Sequence, residues 1–135
     1  MNLTTHRETL SPAFNKLHIE GLPFNASFNH FTEPDTGDPH DHPFNFVTHI
    51  IKGSYIERIY DTRGNFYTIT RTLGSFHYVS ADTIHKIIKI PEGECYTLMI
   101  PELKIREPRF WRFENGKAYS RQWNEEEFKL YEINK

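Results

Sequence analysis

The sequence predicts an all-β protein, a sandwich or closed barrel, on three observations. Turn signals recur about every 8–12 residues between short apolar runs, the spacing of strands joined by tight connections. The runs are rich in β-branched and aromatic residues: eleven Phe and seven Tyr stand among 135 residues, and aromatics make up 15 %. Such side chains suit a pleated, half-buried surface better than a helix. Strand follows strand without the helical stretches that βαβ units insert.

The elements follow in order. Met1 to Ser11 is polar, without a period, and reads as a loose arm. From Phe14 to Phe31, apolar groups punctuated by Gly21, Pro23 and three Asn predict two strands with a turn between them. Glu33 to Pro39 is a turn cluster. Phe44 to Lys52 and Tyr55 to Tyr60 are strands parted at Gly53, and Asp61-Thr62-Arg63-Gly64-Asn65 makes a hairpin loop into Phe66 to Leu73. Gly74 breaks that run, and Phe76 to Val79, Ile84 to Ile90 and Tyr96 to Ile100 continue the rhythm. Beyond Pro101 it loosens. Glu107 to Phe113 is aromatic and basic, and its Phe110, Trp111 and Phe113 read as a lid over the barrel end or a dimer contact. Tyr119 to Trp123 is a last strand candidate. Asn124 followed by Glu125, Glu126 and Glu127 predicts a short capped C-terminal helix, with Phe128, Leu130 and Tyr131 as its apolar side.

At 135 residues one domain is expected, with a core at about residues 24–101 and an extension over 102–135. A formal charge of −2, with Lys and Arg scattered singly, argues against a nucleic-acid partner, which demands a dense basic face. Cys95 is the one cysteine, so no disulfide forms within the chain and a reducing compartment is expected. No apolar run approaches the roughly 20 residues of a membrane span. Met1 to Thr9 carries His, Arg and Glu where a signal peptide has an apolar block, so a soluble cytoplasmic protein is expected.

Chemistry concentrates in Pro39-His40-Asp41-His42-Pro43-Phe44-Asn45-Phe46. Residues two apart on an extended chain point the same way, so His40 and His42 project two imidazoles to one side. A third from a neighbouring strand, His85, can close a metal site. The spacing around these residues resembles the cupins, whose first motif runs G-x5-H-x-H-x3,4-E-x6-G. His40, His42 and Gly53 keep that register, while Phe46 takes the glutamate position and Pro34 the leading glycine, with Gly37 close by. The second motif, G-x5-P-x-G-x2-H-x3-N, is met by Gly74 and His85, with Ser80, Asp82 and Lys89 at its other positions. Twenty residues separate Gly53 from Gly74, and the likeness covers about residues 24–101. It implies a cupin double-stranded β-helix, a jelly-roll barrel.

Without the glutamate, the set is three neutral imidazoles. That resembles the three-histidine iron centre of the thiol dioxygenases, cysteine dioxygenase and its relatives. The local text is similar too, with His-Asp-His ahead and Tyr78-Val79-x-x-Asp82-x-Ile84-His85 behind. The resemblance implies one divalent ion, Fe(II) first, with Zn, Ni, Mn or Cu also accepted by imidazole. A neutral ligand set leaves the full charge on the ion and favours a thiolate or carboxylate partner. Pro39 to Phe46, Lys52-Gly53-Ser54-Tyr55-Ile56-Glu57 and Glu107 to Phe113 further resemble a group of small bacterial and phage cupins, from about Phe14 to Trp123. That likeness implies fold and site, and no reaction.

Other side chains compete for roles. Glu57 shares parity with Tyr55 and Ile59 and is a candidate fourth ligand, its competing reading a solvated strand charge. Arg71, Tyr78, the Arg109 to Arg112 segment and Lys16 are candidates for holding an anionic substrate. His49 has the parity of Val47 and Ile51, opposite to Phe46, and reads as a packed histidine; His77 is undecided. Cys95 reads as buried and inert. The leading function is a mononuclear metal enzyme of the dioxygenase type. Two readings compete with it: a metal-free sugar-nucleotide isomerase or epimerase with His42 as base, and a non-catalytic barrel that keeps a metal for stability. Cupin barrels commonly pair through edge strands, so a homodimer is expected.

Overall fold

The computed structural model describes residues 2–132. Twelve strands make it up: β1 Thr4–Ser11, β2 Phe14–Glu20, β3 Ala26–Phe31, β4 Phe46–Gly53, β5 Tyr55–Tyr60, β6 Phe66–Arg71, β7 Phe76–Val79, β8 Ile84–Lys89, β9 Cys95–Pro101, β10 Arg109–Glu114, β11 Lys117–Gln122 and β12 Lys129–Leu130. The first sheet runs β1-β2-β3-β9-β4-β7, and two three-stranded pieces, β6-β5-β8 and β10-β11-β12, form the second. All strand pairs are antiparallel.

One residue joins the two pieces. His40 bridges to His85 on β8 and to Phe110 on β10. Its amide donates to the His85 carbonyl at 3.0 Å, and the His85 amide returns a bond to the His40 carbonyl at 2.9 Å. On the other side Asp41 N–H donates to the Arg109 carbonyl at 3.0 Å, and Trp111 N–H to the Pro39 carbonyl at 2.8 Å. The prolines on either side stop this segment from extending its ladder, since proline has no N–H to give.

Alternation sets which faces meet. Phe46, Thr48 and Ile50 of β4 and Cys95, Thr97 and Met99 of β9 are buried, and the residues between them are more exposed. Ile50, Tyr55, Ile87, Ile90 and Cys95 form one apolar cluster, and Phe46, Val79 and Met99 another. A third, of Ile84, Trp111 and Ala118, lies on the other side of β8 from His85 and Ile87. Gly53 turns β4 into β5 with φ +77°, and a Cβ there would collide with the Glu94 carbonyl oxygen. The motif glycine is thus required by both conformation and space.

Three expectations need correction. The arm over Met1 to Ser11 is, across Thr4–Ser11, a strand paired with β2. All eight of its residues are exposed, so no buried face imposed a period for the sequence to show. The Glu107 to Phe113 stretch is no lid: Arg109–Glu114 is β10, and Trp111 is 4 % exposed in the third cluster. Among the described residues there is no helix, at the C-terminus or elsewhere. Glu125 bonds back instead, its carboxylate accepting the Gln122 amide at 2.9 Å. Phe128 lies under Arg112 and Arg121, 4.2 and 5.2 Å from its ring centre, and holds the chain extended into β12. Residues 133–135 of the expected C-terminal extension lie outside the described residues. No helix of the described residues is long and apolar enough to cross a membrane.

Cys95 is fully buried, and burial pushes its thiol up to about 11. Native protein at pH 8 is therefore expected to label with a thiol reagent only as fast as it opens, and completely once denatured. Prompt native labelling, read by mass spectrometry, would contradict this placement.

Candidate metal centre

Alternation along residues 40–42 turns both imidazoles one way and Asp41 the other. His40 and His42 meet His85, which β8 delivers to the same point through the backbone bridge. Ring centres lie 5.4 Å apart for His40 and His42, 4.7 Å for His40 and His85, and 4.6 Å for His42 and His85. One nitrogen from each ring falls within 4.8 Å of the other two. The Nε2 atoms of His42 and His85 are 3.0 Å apart, the spacing of two nitrogens that share one ion at about 2.0–2.1 Å each in adjacent positions. Burial, and then the nearby His85 charge, hold His40 down to about 3 and His42 well below its ordinary value. Both rings are therefore neutral near pH 7, the form in which imidazole binds a metal. The donor set and its spacing fit a divalent ion.

Glu57 stands behind His85. It is 2 % exposed, its Oε1 lies 2.6 Å from His85 Nδ1, and its Oε2 accepts from Arg71 Nε at 2.7 Å. Burial raises the Glu57 carboxyl, but the bonds and charges of His85 and Arg71 outweigh it and the net direction is down. The carboxylate sought as a fourth ligand thus lies against the far nitrogen of the third, where it can orient that ring. Arg71 is taken up by Glu57 and does not reach the substrate space. Tyr78 is no candidate either: it is 59 % exposed and its hydroxyl donates to Glu102.

Asp41 is the functional residue that sequence reading passed over. It is 2 % exposed, and its carboxylate accepts from Arg109 N at 2.7 Å, Arg106 at 3.0 Å and Trp111 Nε1 at 3.1 Å. Those bonds fasten the back of the histidine segment to β10. Asp35, from the turn cluster, accepts from Ile87 N at 2.8 Å, two residues beyond His85. An acidic residue inside a His-x-His pair was the only local signal, and its partners lie more than sixty positions away.

The histidines open on a cavity of about 420 Å³ between the sheets, with Phe14, Phe31, Phe44 and Phe46 on its walls and Lys16 at its lining. Of the candidates for holding an anion, Lys16 alone is placed there. Arg109 reaches Ser120, and Arg112 pairs with Asp38. His49 stacks on Phe76 at 3.8 Å, away from the cavity, and His77 Nε2 meets the Tyr55 hydroxyl at 3.1 Å.

Comparison with solved structures decides the fold. Hydroxypropylphosphonic acid epoxidase from S. wedmorenis superposes with a TM-score of 0.59 at 9 % identity, over 73 % of this chain and 55 % of that one. Oxalate oxidase gives 0.51 at 17 % identity, over 64 % and 45 %. A variant of oxalate decarboxylase from Bacillus subtilis gives 0.57 at 19 % identity, over 73 % and 27 %. The fold is the cupin jelly roll. At these identities the likeness is one of fold, and the chain spans about half or less of the length of these cupins. No protein-family model and no curated protein matches the sequence.

Proposed function

We propose that this cupin is a mononuclear metal enzyme of the dioxygenase type, with Fe(II) held by His40, His42 and His85 and a small anionic thiol or carboxylate as substrate. The observation that carries the proposal is the convergence of three imidazoles, without a carboxylate among the ligating groups, at the wall of an apolar cavity. Fe(II) held by His40, His42 and His85 would supply reactivity toward O₂ at the cavity wall. Arg71 balances the charge of Glu57, so the site keeps a positive character that suits an anion. Lys16 adds a cation at the cavity lining, and Phe14, Phe31, Phe44 and Phe46 give the cavity apolar walls. Among the fold neighbours, the epoxidase has been solved in an Fe(II) form with an alternative substrate, and oxalate oxidase with glycolate as substrate analogue. Both observations support a small acid in this barrel.

Elemental analysis of protein purified without added metal tests the reading, alongside His40→Ala and O₂ uptake with cysteine, 3-mercaptopropionate and short carboxylates. Bound iron in wild type, lost in the variant, with uptake on at least one class, is expected. Equal trace metal in both proteins would end it. Glu57→Gln is expected to weaken metal binding about 10–100-fold in a chelator competition, because His85 loses its orienting partner. A homodimer completes the proposal, since β1 and β7 end the first sheet as uncovered edges, and light scattering on the purified protein checks it.

A further inference from the structure

The cavity wall facing the histidines carries a polar row. Lys16 on β2 stands opposite Asn29 on β3, and Asn29 opposite Thr97 on β9, so three adjacent strands place these residues side by side on one face. All three line the cavity. The next row of that face, Phe14, Phe31 and Cys95, is apolar. A polar row inside an apolar chamber has a cost unless something bonds to it.

Each member is short of a partner in a way that points to a ligand. Thr97 is 2 % exposed, and its hydroxyl is buried without a hydrogen bond among the described residues. Asn29 is 4 % exposed, and its oxygen takes a long 3.3 Å bond from Ser27, which leaves the amide N–H groups as donors. Lys16 faces Glu8 across β1, but Glu8 Oε1 is bonded to His18 at 2.9 Å, and Lys16 makes no ion pair within 4.0 Å among the described residues. Partial burial lowers the Lys16 ammonium from its ordinary value. An ammonium, an amide N–H and a hydroxyl in one line form a donor set for an anion with two oxygens.

We infer that the row Lys16, Asn29 and Thr97 receives the carboxylate of a small acid with an apolar body, whose other end reaches the three histidines. The inference rests on the metal reading above for that other end only. Packed sheets lie about 10 Å apart, so a head on one wall and a reacting end on the other need several bonds between them. The phenylalanines line the path of those bonds. The substrate class is therefore an apolar monocarboxylic acid with its reactive group remote from the carboxylate.

Calorimetric titration with acetate, hexanoate and 1-hexanol tests this on wild type, Lys16→Met, Thr97→Val and His40→Ala. Hexanoate is expected to bind about tenfold or more tightly than either acetate or 1-hexanol. Lys16→Met should abolish the preference over the alcohol, and Thr97→Val should reduce it about fivefold, both with wild-type melting and metal content. Hexanoate bound equally by wild type and both variants, or no better than 1-hexanol, overturns the row. His40→Ala separates the two readings, because hexanoate should still bind it in a Lys16-dependent way. Failure of the metal reading would appear as equal trace metal in wild type and His40→Ala, with the carboxylate preference intact.

Discussion

His42→Ala is expected to reduce bound metal from about one ion per chain to background and to abolish any rise in melting temperature on adding that ion. The ring has two roles. It offers one of only three nitrogens, and its Nε2 is the atom 3.0 Å from His85 Nε2. Two imidazoles retain a divalent ion far less well than three, and the loss should exceed the roughly 10–100-fold typical of a supporting group. An ion present at about 100 times its dissociation constant stabilises the wild-type fold by about 2.7 kcal/mol, and the variant forfeits that increment. His49→Ala is the control: stacked on Phe76 away from the cavity, it should leave metal content unchanged. Elemental analysis and paired melts with and without the ion read both effects. Metal retained in His42→Ala, or lost equally in His49→Ala, would contradict the site.

Asp41→Asn is expected to cost about 2 kcal/mol of stability, within the range for leaving buried donors short of their acceptor. The carboxylate has three donors, and an amide can accept from them through one oxygen only. Its nitrogen would then face N–H groups or the Arg106 guanidinium, with almost no solvent reaching the site. For a chain of this size that corresponds to a melting temperature lower by about 7 °C. Metal affinity should fall with it, since the Asp41 bonds hold the segment between the two imidazoles. A thermal melt within about 2 °C of wild type would show that Asp41 does not secure the seam.

Particular residues show where sequence reasoning succeeded and why it stopped. Gly53 and the opposite parity of Phe46 and His49 were legible because turn chemistry and strand period act over a few residues. The C-terminal stretch was misread because Asn124 and three glutamates satisfy a local capping pattern, while Arg112 and Arg121, distant in sequence or on the neighbouring strand, draw Phe128 into an extended path. β1 was missed because pairing through the backbone leaves no mark on side chains that stay in water. Glu57 was singled out correctly and given the wrong post, since parity tells which face a side chain takes and not which neighbour it touches.

The sequence by itself determined that this chain builds strands and that His40 and His42 point the same way, because the two-residue repeat of an extended backbone is a local property. Only the tertiary structure decided that His85 arrives beside them, that Glu57 stands behind it, and that Asp41 anchors the segment to β10. Those outcomes depend on which strands become neighbours and in what register, and the closing of two sheets over one cavity settles both at once.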